Sequence, residues 1–382
     1  MSERRLLFIV NDAAFFISHR LPLAIAAKAN GFEVHVATPE AQASAQIKEM
    51  GLTYHAIPLS RSGRNPFVEL KSLFAFYRLM REVKPDLVHL VTIKPILYGG
   101  LVARLLKVPA VVAAVSGLGY LFTSQQAKAK FLRQGVRQLY KLALDHAYLK
   151  VIFQNPDDRQ VFLQNATCTA EQTVLIRGSG VDLNIYRSSP ERRDKVVVAM
   201  ISRLLKDKGV LEYMAAAKAL KAEGTRAQFL LVGDVDEGNP ECIDKEQLAQ
   251  WRREGDVELL GFRDDIAQII EQANLVVLPS YREGLPKVLV EAAACGRAVI
   301  TTDVPGCRDA IEPNQTGLLV PVRDVDALAV TMKQLIEDHD YRQQLGNAGR
   351  VLAEREFAIE RIVDAHLNIY QELYLSTRGC TS

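Results

Sequence analysis

No stretch of the sequence is apolar for long enough to cross a bilayer as a helix, which takes about 18 or more residues. The amino-terminal apolar run, residues 6–10, breaks at Asn11 and Asp12, so it predicts a first buried strand and argues against a signal peptide. The 382 residues include only five cysteines, which are scattered without the spacing of metal ligands. This usage argues against a disulfide framework and is typical of a protein of the reducing cytoplasm.

Charge is balanced overall but not along the chain. The formal net charge is +2, yet residues 1–180 hold 22 Lys and Arg against 12 Asp and Glu, which leaves 25 against 33 for the remainder. A basic half attracts an anionic membrane surface or nucleic acid. No pattern of a nucleic-acid-binding module is present, so we expect an anionic membrane surface as a partner and no nucleic acid.

Short apolar runs alternate with helical patterns twice along the chain, which indicates two doubly wound parallel sheets. In the first half the predicted strands are 6–10, 33–37, 53–57, 86–91, 110–114, 150–153 and 173–176. In the second half they are 196–200, 229–232, 257–260, 275–278, 298–301 and 318–320. The stretch between them, rich in Gly, Ser, Pro and charge, predicts an interdomain linker at 178–195. With 48% hydrophobic residues, the chain is long enough for two cores.

The most informative motif is the segment 279–292, which follows the apolar run 275–278. A helix is expected to begin near Pro286, because proline fits the first helical position. The free N–H groups of that helix start and its dipole favour a phosphate in the crevice beyond the sheet. Glu283 in the loop and Glu291, two turns into the helix, can then reach polar groups on either side of the phosphate.

A second motif supplies the positive charge that two carboxylates beside an anion require. Arg203 and Lys208 follow the predicted strand 196–200, and they offer a planar fork and a compact point charge to a diphosphate. Each motif alone has an ordinary interpretation, as solvated loop charges or as a helix cap. Together, at matching ends of parallel strands, they predict one ligand site.

These two motifs resemble the donor site of retaining glycosyltransferases of family 4, which have the GT-B fold. The resemblance extends to segments across nearly the whole chain, namely 65–71, 117–119, 178–182 and 306–311. It implies two Rossmann-like doubly wound domains facing a central cleft, with an acceptor-binding domain at 1–177 and a nucleotide-sugar-binding domain at 196–357. A last helix, 358–376, is expected to pack back on the first domain. Within the family the chain is most similar to enzymes that add an N-acetylhexosamine to a sugar on undecaprenyl diphosphate.

The resemblance assigns roles on the donor side. It implies that Glu283 holds hydroxyls of the donor sugar and Glu291 the ribose, while Arg203, Lys208 and backbone N–H groups near Gly284 and Leu285 stabilise the leaving diphosphate. Glu283, Arg203 and Lys208 are therefore the predicted catalytic residues. Backbone groups of the loop 261–265 are expected to read the edge of uracil while Phe262 or Arg263 stacks on the base. An ordinary helix cap at Asp264 or Asp265 is compatible with this role. No Asp-x-Asp pair is expected in either crevice, so neither a divalent metal nor another cofactor is predicted.

The acceptor side is predicted at strand ends of the first domain. The candidate acceptor-binding residues are Asn11, His19, Arg20, Lys94 and Gly117. Arg20 and Lys94 are candidates for the acceptor diphosphate, whereas His19 and the nearby His89 fit structural roles equally well. The chain lacks the glycine-rich first loop of many relatives, and the segment 114–119 has no counterpart of a histidine that is catalytic in some of them.

Two stretches of the first domain have the character of membrane-interface helices. The first, 67–81, is apolar around more of the helix than a single core stripe requires, and the second, 117–150, interleaves basic with apolar residues. Core packing beneath a solvated basic face explains the pattern equally well, but a polyprenyl-linked acceptor must be met at the bilayer. We therefore expect a cytoplasmic enzyme, peripheral on the inner face of the cytoplasmic membrane, that uses a UDP-sugar. The alternatives are a UDP-sugar 2-epimerase of the same fold and a non-catalytic, membrane-docked assembly subunit.

Overall fold

The computed structural model describes residues 4–59, 66–117, 127–236 and 239–379. Residues 118–122 of the second predicted membrane stretch lie outside these ranges, as do Asn65, Cys380 and the side chains of Lys128, Lys130 and Arg133. The chain divides into two compact units, the first formed by Met1–Ser179 with Glu360–Ser382 and the second by Gly180–Ile359. No helix of the described ranges is both long and apolar enough to cross a membrane.

The first unit is built on a parallel sheet of seven strands in the order β3-β2-β1-β4-β5-β6-β7. Its strands are β1 Arg4–Val10, β2 Phe32–Thr38, β3 Thr53–Ala56, β4 Leu87–Val91, β5 Ala110–Val115, β6 Leu149–Phe153 and β7 Thr173–Leu175. Alternate residues of β1 belong to two separate cores, with Leu7 and Ile9 in one and Leu6, Phe8 and Val10 in the other. The sheet is therefore buried on both faces, which explains the continuous apolar runs of its central strands.

Helices connect these strands in the alternating pattern that the sequence predicts. They are α1 Ala13–His19, α2 Leu21–Ala29, α3 Ser44–Glu49, α4 Pro66–Val83, α5 Gly100–Leu105, α6 Ala127–Ala143 and α7 Pro156–Gln164. A π-helical turn, Pro95–Gly99, precedes α5. The chain order reverses between β1 and β4, and in open sheets of this type ligands bind beyond the strand ends at such a point.

The second unit repeats this plan with six parallel strands in the order β10-β9-β8-β11-β12-β13. The strands are β8 Val196–Ile201, β9 Ala227–Val232, β10 Glu258–Gly261, β11 Leu275–Leu278, β12 Ala298–Thr302 and β13 Gly317–Val320. The helices are α8 Val210–Ala222, α9 Lys245–Glu254, α10 Ile266–Gln272, α11 Lys287–Ala294, α12 Val325–Glu337 and α13 His339–Leu352. The two sheets confirm the predicted doubly wound architecture of each half.

The segments around the unit boundaries are also defined. Residues 180–195, which the sequence assigned to a linker, lie within the second unit by their contacts. The last helix, α14 Ile359–Gly379, has most of its length in the first unit. There it buries a stripe at helical spacing in the same core as β1, formed by Ile362, Ile369, Tyr370 and Leu373.

Candidate active site

Two loops meet at the carboxyl edge of the second sheet, because β8 and β11 are adjacent parallel strands. The loop after β8 carries Arg203 and ends in a short 3₁₀ turn, Lys206–Lys208. The loop after β11 carries Glu283. The Lys208 ammonium nitrogen lies 2.5 Å from Oε1 of Glu283, and both side chains are largely buried. The structure therefore brings together the cation and the carboxylate that the sequence predicted for one site.

Two glycines make this close approach possible. Gly209 has a φ of +76°, and a Cβ atom there would lie 2.1 Å from the carbonyl oxygen of Pro279. Gly306 has a φ of +82°, and a Cβ atom there would lie 2.3 Å from the carbonyl oxygen of Glu283. Only glycine tolerates both the positive φ and the contact. The Glu283 backbone is fixed further by its N–H, which donates to the carbonyl of Pro305 at 3.1 Å.

Ser280 is a buried positioning residue that the sequence reasoning did not single out. Its Oγ lies 2.9 Å from Oε1 of Glu283 and 3.0 Å from the carbonyl oxygen of Asp207, so both acceptors are within reach of its one hydroxyl proton. Oε1 of Glu283 is thus engaged by Ser280 and Lys208, whereas Oε2 has no hydrogen bond within the described ranges. Oε2 is the oxygen that remains for a ligand. The signal in the sequence was a serine two residues beyond the end of a buried strand, beside the predicted site.

Glu291 lies on α11 as its fifth residue, slightly more than one turn from the start rather than two. The expected helix start was one residue early, because Pro286 has extended ψ and is the N-cap residue instead of the first helical residue. Glu291 is 5% exposed, and its Oε1 lies 2.8 Å from the Lys287 ammonium. A hydrogen bond also joins it to Tyr186, and burial followed by the charge of Glu291 raises the pKa of that phenol. The sequence reasoning missed both partners.

Arg203 pairs with Asp236, which belongs to an Asp-x-Asp pair that was not expected from the sequence. Its Nη1 lies 2.5 Å from Oδ2 of Asp236 in a pair that is open to solvent. Asp234 and Asp236 form an Asp-x-Asp pair directly after β9, so the expectation that neither crevice carries this pattern was wrong. Within the described ranges, no group of three or more His, Cys, Asp or Glu residues is arranged to hold a metal ion.

The predicted uracil loop is a compact turn after β10. The Arg263 guanidinium is bidentate to Asp265, with distances of 2.7 Å from Nε and 2.5 Å from Nη2. Asp265 occupies the N-cap position of α10 but makes no side-chain capping bond, because its carboxylate is taken by Arg263. Phe262 is 76% exposed, so its ring presents a face on which a base can stack. Gly284 and Leu285 lie in the loop before α11, where they were expected.

The predicted acceptor residues lie at the carboxyl edge of the first sheet, with different surroundings. Asn11 and Gly117 follow β1 and β5, and Gly117 has a φ of +111°. Lys94 lies three residues beyond β4, and its ammonium lies 2.6 Å from Oε1 of Glu69, so its charge is already paired. The His19 ring stacks on Phe15 with ring centroids 4.0 Å apart.

Arg20 lies in a buried polar cluster with His89, His366 and Tyr370. Nδ1 of His89 lies 2.5 Å from the Tyr370 hydroxyl, and the His89 and His366 rings stack. Burial lowers the pKa of His89 well below its usual value, that of His366 to about 3 and that of Arg20 to about 10. Both histidines are therefore neutral at pH 7, and Arg20 carries the one positive charge of the cluster. Arg20 is 2% exposed, and no carboxylate within the described ranges forms an ion pair with it.

Two family patterns match the chain, one on each unit. The pattern described as "Glycosyl transferase 4-like" matches residues 5–155, and the pattern described as "Glycosyl transferases group 1" matches residues 183–352. The chain is 31% identical to the N,N'-diacetylbacillosaminyl-diphospho-undecaprenol alpha-1,3-N-acetylgalactosaminyltransferase of Campylobacter jejuni, over 97% of this chain and 99% of that protein. It is 25% identical to the UDP-Gal:alpha-D-GlcNAc-diphosphoundecaprenol alpha-1,3-galactosyltransferase of Escherichia coli, over 71% of each chain.

A solved structure has the same fold. The Anabaena protein HepE in complex with UDP-glucose superposes on this chain with a TM-score of 0.76 at 22% identity, covering 97% of this chain and 99% of that one. This likeness confirms the GT-B fold class that the sequence predicts.

The close approach at Gly209 yields a test of the site's architecture. We expect Gly209→Ala to destabilise the protein by more than about 2 kcal/mol, because strained φ and a backbone clash add. Gly224→Ala is the matched control, since Gly224 has a similar φ of +83° but an added Cβ atom would have no neighbour within 4 Å. Urea denaturation of both variants makes the comparison, and equal shifts of the midpoint would contradict the role given to the Pro279 contact.

Proposed function

We propose a reaction for this chain, which belongs to the glycosyltransferases: the group 1 and the 4-like family patterns each match one of its two units. The reaction is the transfer of a sugar, an N-acetylhexosamine, from a UDP-sugar to a saccharide linked to undecaprenyl diphosphate, with retention at the anomeric carbon. Its setting is the assembly of a bacterial surface glycan or N-glycan. The observation that carries this proposal is the match to the Campylobacter jejuni transferase over nearly the full length of both chains. The relatives reported above are transferases, so the 2-epimerase alternative gains no support from them.

Lys208 and Arg203 are the proposed cations for the leaving diphosphate, and they differ in how they are held. Lys208 is fixed by a largely buried contact with Glu283, and an ammonium has three N–H donors, so it keeps that contact while it donates to phosphate. Arg203 is held by Asp236 in a solvent-exposed pair. Exposed pairs contribute little stability, so exchanging Asp236 for a diphosphate costs little. The start of α11 adds N–H groups that favour an anion.

The two carboxylates are the proposed hydroxyl ligands. Oε2 of Glu283 accepts from hydroxyls of the donor sugar, because Oε1 is engaged by Lys208 and Ser280. Glu291 accepts from the ribose hydroxyls, and Lys287 and Tyr186 hold its carboxylate in place. Phe262 or Arg263 stacks on uracil, while Gly284 and Leu285 supply backbone N–H groups. The two carboxylates are already held by protein contacts before the ligand arrives, which is the arrangement that electrostatic catalysis requires.

The chemical step needs no carboxylate nucleophile. The bond between the anomeric carbon and the UDP oxygen breaks with its electron pair moving to the diphosphate, where Arg203 and Lys208 stabilise the charge. The acceptor hydroxyl bonds to the same face of that carbon, and its proton passes to the departing phosphate oxygen. The anomeric configuration is therefore retained.

On the acceptor side, Arg20 is our proposed contact for the acceptor diphosphate. A buried guanidinium without a carboxylate gains strongly from an anion, because removing a charge from water is costly unless it is paired. Lys94 is a weaker candidate, since Glu69 already neutralises it. Asn11, His19 and Gly117 stay as predicted acceptor contacts at the same edge.

A transfer assay tests the proposed function directly. Labelled UDP-N-acetylgalactosamine and UDP-N-acetylglucosamine are each offered with polyprenyl-diphosphate monosaccharides, with and without EDTA. We expect label to enter the lipid fraction with at least one donor, and to do so in EDTA, because Arg203 and Lys208 supply the charge that a metal would. UDP release without lipid labelling for every acceptor would reject the proposed substrate, and loss of transfer in EDTA would return Asp234 and Asp236 to consideration as metal ligands.

Variants of the paired charges test the site. Lys208→Ala and Glu283→Gln are each expected to lower kcat on the order of 100-fold or more with the fold intact, because both groups contact the transition state. Lys206→Ala and Glu246→Gln are the matched controls, since both residues are exposed and face no ligand in the proposal. Steady-state kinetics with circular dichroism make the measurement. Near-normal rates in the first pair would overturn the site assignment.

We also propose that α4 docks on an anionic bilayer, as the peripheral inner-face location requires. Phe67, Leu70 and Phe74 follow helical spacing and are 83%, 64% and 65% exposed, and the exposed Lys71 and Arg78 lie along the same stripe. Exposed apolar groups beside basic ones fit a headgroup region of negative charge.

Vesicle sedimentation tests this docking. We expect the triple variant Phe67→Ser, Leu70→Ser and Phe74→Ser to lose most binding to vesicles rich in phosphatidylglycerol, and Lys71→Gln with Arg78→Gln to weaken binding and its salt dependence. Val330→Ser with Val351→Ser is the control, because these exposed valines belong to the second unit. Unchanged vesicle binding in the triple variant would reject α4 as the docking surface.

A further inference from the structure

Two hydroxyls at the carboxyl edge of the first sheet are buried without a partner. Oγ1 of Thr92 and Oγ of Ser116 are inaccessible to solvent and have no hydrogen bond within the described ranges. Thr92 directly follows β4, and Ser116 directly follows the adjacent strand β5. Buried hydroxyls in native proteins are nearly always bonded, so an exception requires an explanation.

Thr92 is also strained. Its φ is +74°, which is a genuine outlier for a β-branched residue. The conformation is fixed from both sides, because its N–H donates to the carbonyl of Ala114 at 3.2 Å and its carbonyl accepts from the N–H of Ile96 at 3.1 Å. Strain that the surrounding structure maintains is characteristic of ligand contacts.

The sheet register places a third polar group beside these hydroxyls. Val10 pairs with Val91 and Val91 with Ala114, so Asn11 and Thr92 occupy matching positions at the ends of β1 and β4. The Asn11 amide makes no side-chain hydrogen bond to another described residue. Asn11 and Thr92 lie where the strand order reverses, which is the usual place for a ligand in such a sheet, and Ser116 follows the next strand, β5.

The charges nearby decide which ligand fits. Lys94, the cation closest in sequence to Thr92, is neutralised by Glu69, and the Glu69 carboxylate is engaged further by the Tyr98 hydroxyl at 2.8 Å. Hydroxyl and amide groups without a net charge match the hydroxyls of an uncharged sugar better than they match a phosphate.

We propose that Thr92 and Ser116, beside Asn11, form a subsite for the hydroxyl groups of a neutral pyranose. The inference rests on the proposed function, which supplies such a sugar in the saccharide of the lipid-linked acceptor. The two hydroxyls act as binding residues that hydrogen-bond the sugar, and the ligand completes the bonds that the protein alone leaves unmade.

Isosteric variants test the subsite. Thr92→Val and Ser116→Ala remove each hydroxyl with little change of shape, and their double variant removes both. Since neither hydroxyl has a protein partner, we expect an unchanged or slightly raised melting temperature. The KM for the bound sugar should rise about tenfold for each hydroxyl, since losing one such bond is worth about that factor. Thr92→Ser, which keeps the hydroxyl, should restore the KM, and Thr331→Val, which removes a hydroxyl bonded within α12, is the control.

Two readouts separate the possible results. In the transfer assay, a raised KM for the lipid-linked acceptor supports the subsite, whereas a KM raised only for the UDP-sugar would overturn it. Saturation-transfer NMR with methyl N-acetyl-α-D-hexosaminides follows binding without turnover. A further case is an unaltered protein that binds the methyl glycosides but transfers sugar to no lipid acceptor. If the double variant then loses that binding, the subsite stands and the proposed acceptor is rejected.

The inference is overturned if the double variant keeps both KM values and binds the methyl glycosides as the unaltered protein does. It is equally overturned if the melting temperature falls by several degrees with unchanged kinetics, because the hydroxyls would then be structural.

Discussion

The contact between Lys208 and Glu283 is the interaction on which the proposed donor site depends. It joins the loops after two adjacent strands, and both side chains are largely withdrawn from water. A charge pair in such a place needs further hydrogen bonds, because desolvation offsets much of the attraction. Ser280 supplies one to the carboxylate, and Gly209 and Gly306 let three backbone segments approach closely enough to keep the geometry. Loss of any of these contacts would leave a charge without its partner.

Ion pairs within the proposed site also explain how its cations are accommodated before an anionic ligand binds. Arg203, Lys208 and Lys287 each contact a carboxylate, so their positive charges are compensated before a ligand binds. The pairs differ in burial, and that difference decides what happens on binding. In the proposed function the exposed Arg203 pair with Asp236 exchanges for the diphosphate, whereas Lys208 keeps its contact with Glu283 and donates to phosphate with its remaining N–H groups. One cation is thus adaptable and the other is preorganised.

Periodicity predicted every strand of the described ranges to within two residues, because buried parallel strands are continuously apolar and their lengths are short. The meeting of Lys208 with Glu283 also followed from the sequence, since the carboxyl ends of neighbouring parallel strands share an edge. The side-chain partners of the site residues could not be predicted from the sequence. Asp236, Ser280 and Tyr186 are identified by side-chain geometry, which residue spacing does not encode. The start of α11 missed by one residue because proline suits both the N-cap and the first helical position.

The two sheets have the same topology, yet their carboxyl edges differ in a way that separates their ligands. At the second sheet the cations Arg203, Lys208 and Lys287 each contact a carboxylate, which suits the proposed binding of a charged nucleotide. At the first sheet no carboxylate within the described ranges pairs with Arg20, and the side-chain hydroxyls of Thr92 and Ser116 have no hydrogen bond there. Unmade bonds of this kind lower stability. They persist in a folded protein when a ligand completes them, so we infer that the first unit is selective for a polar ligand bearing both an anion and neutral hydroxyls, as a lipid-linked saccharide does.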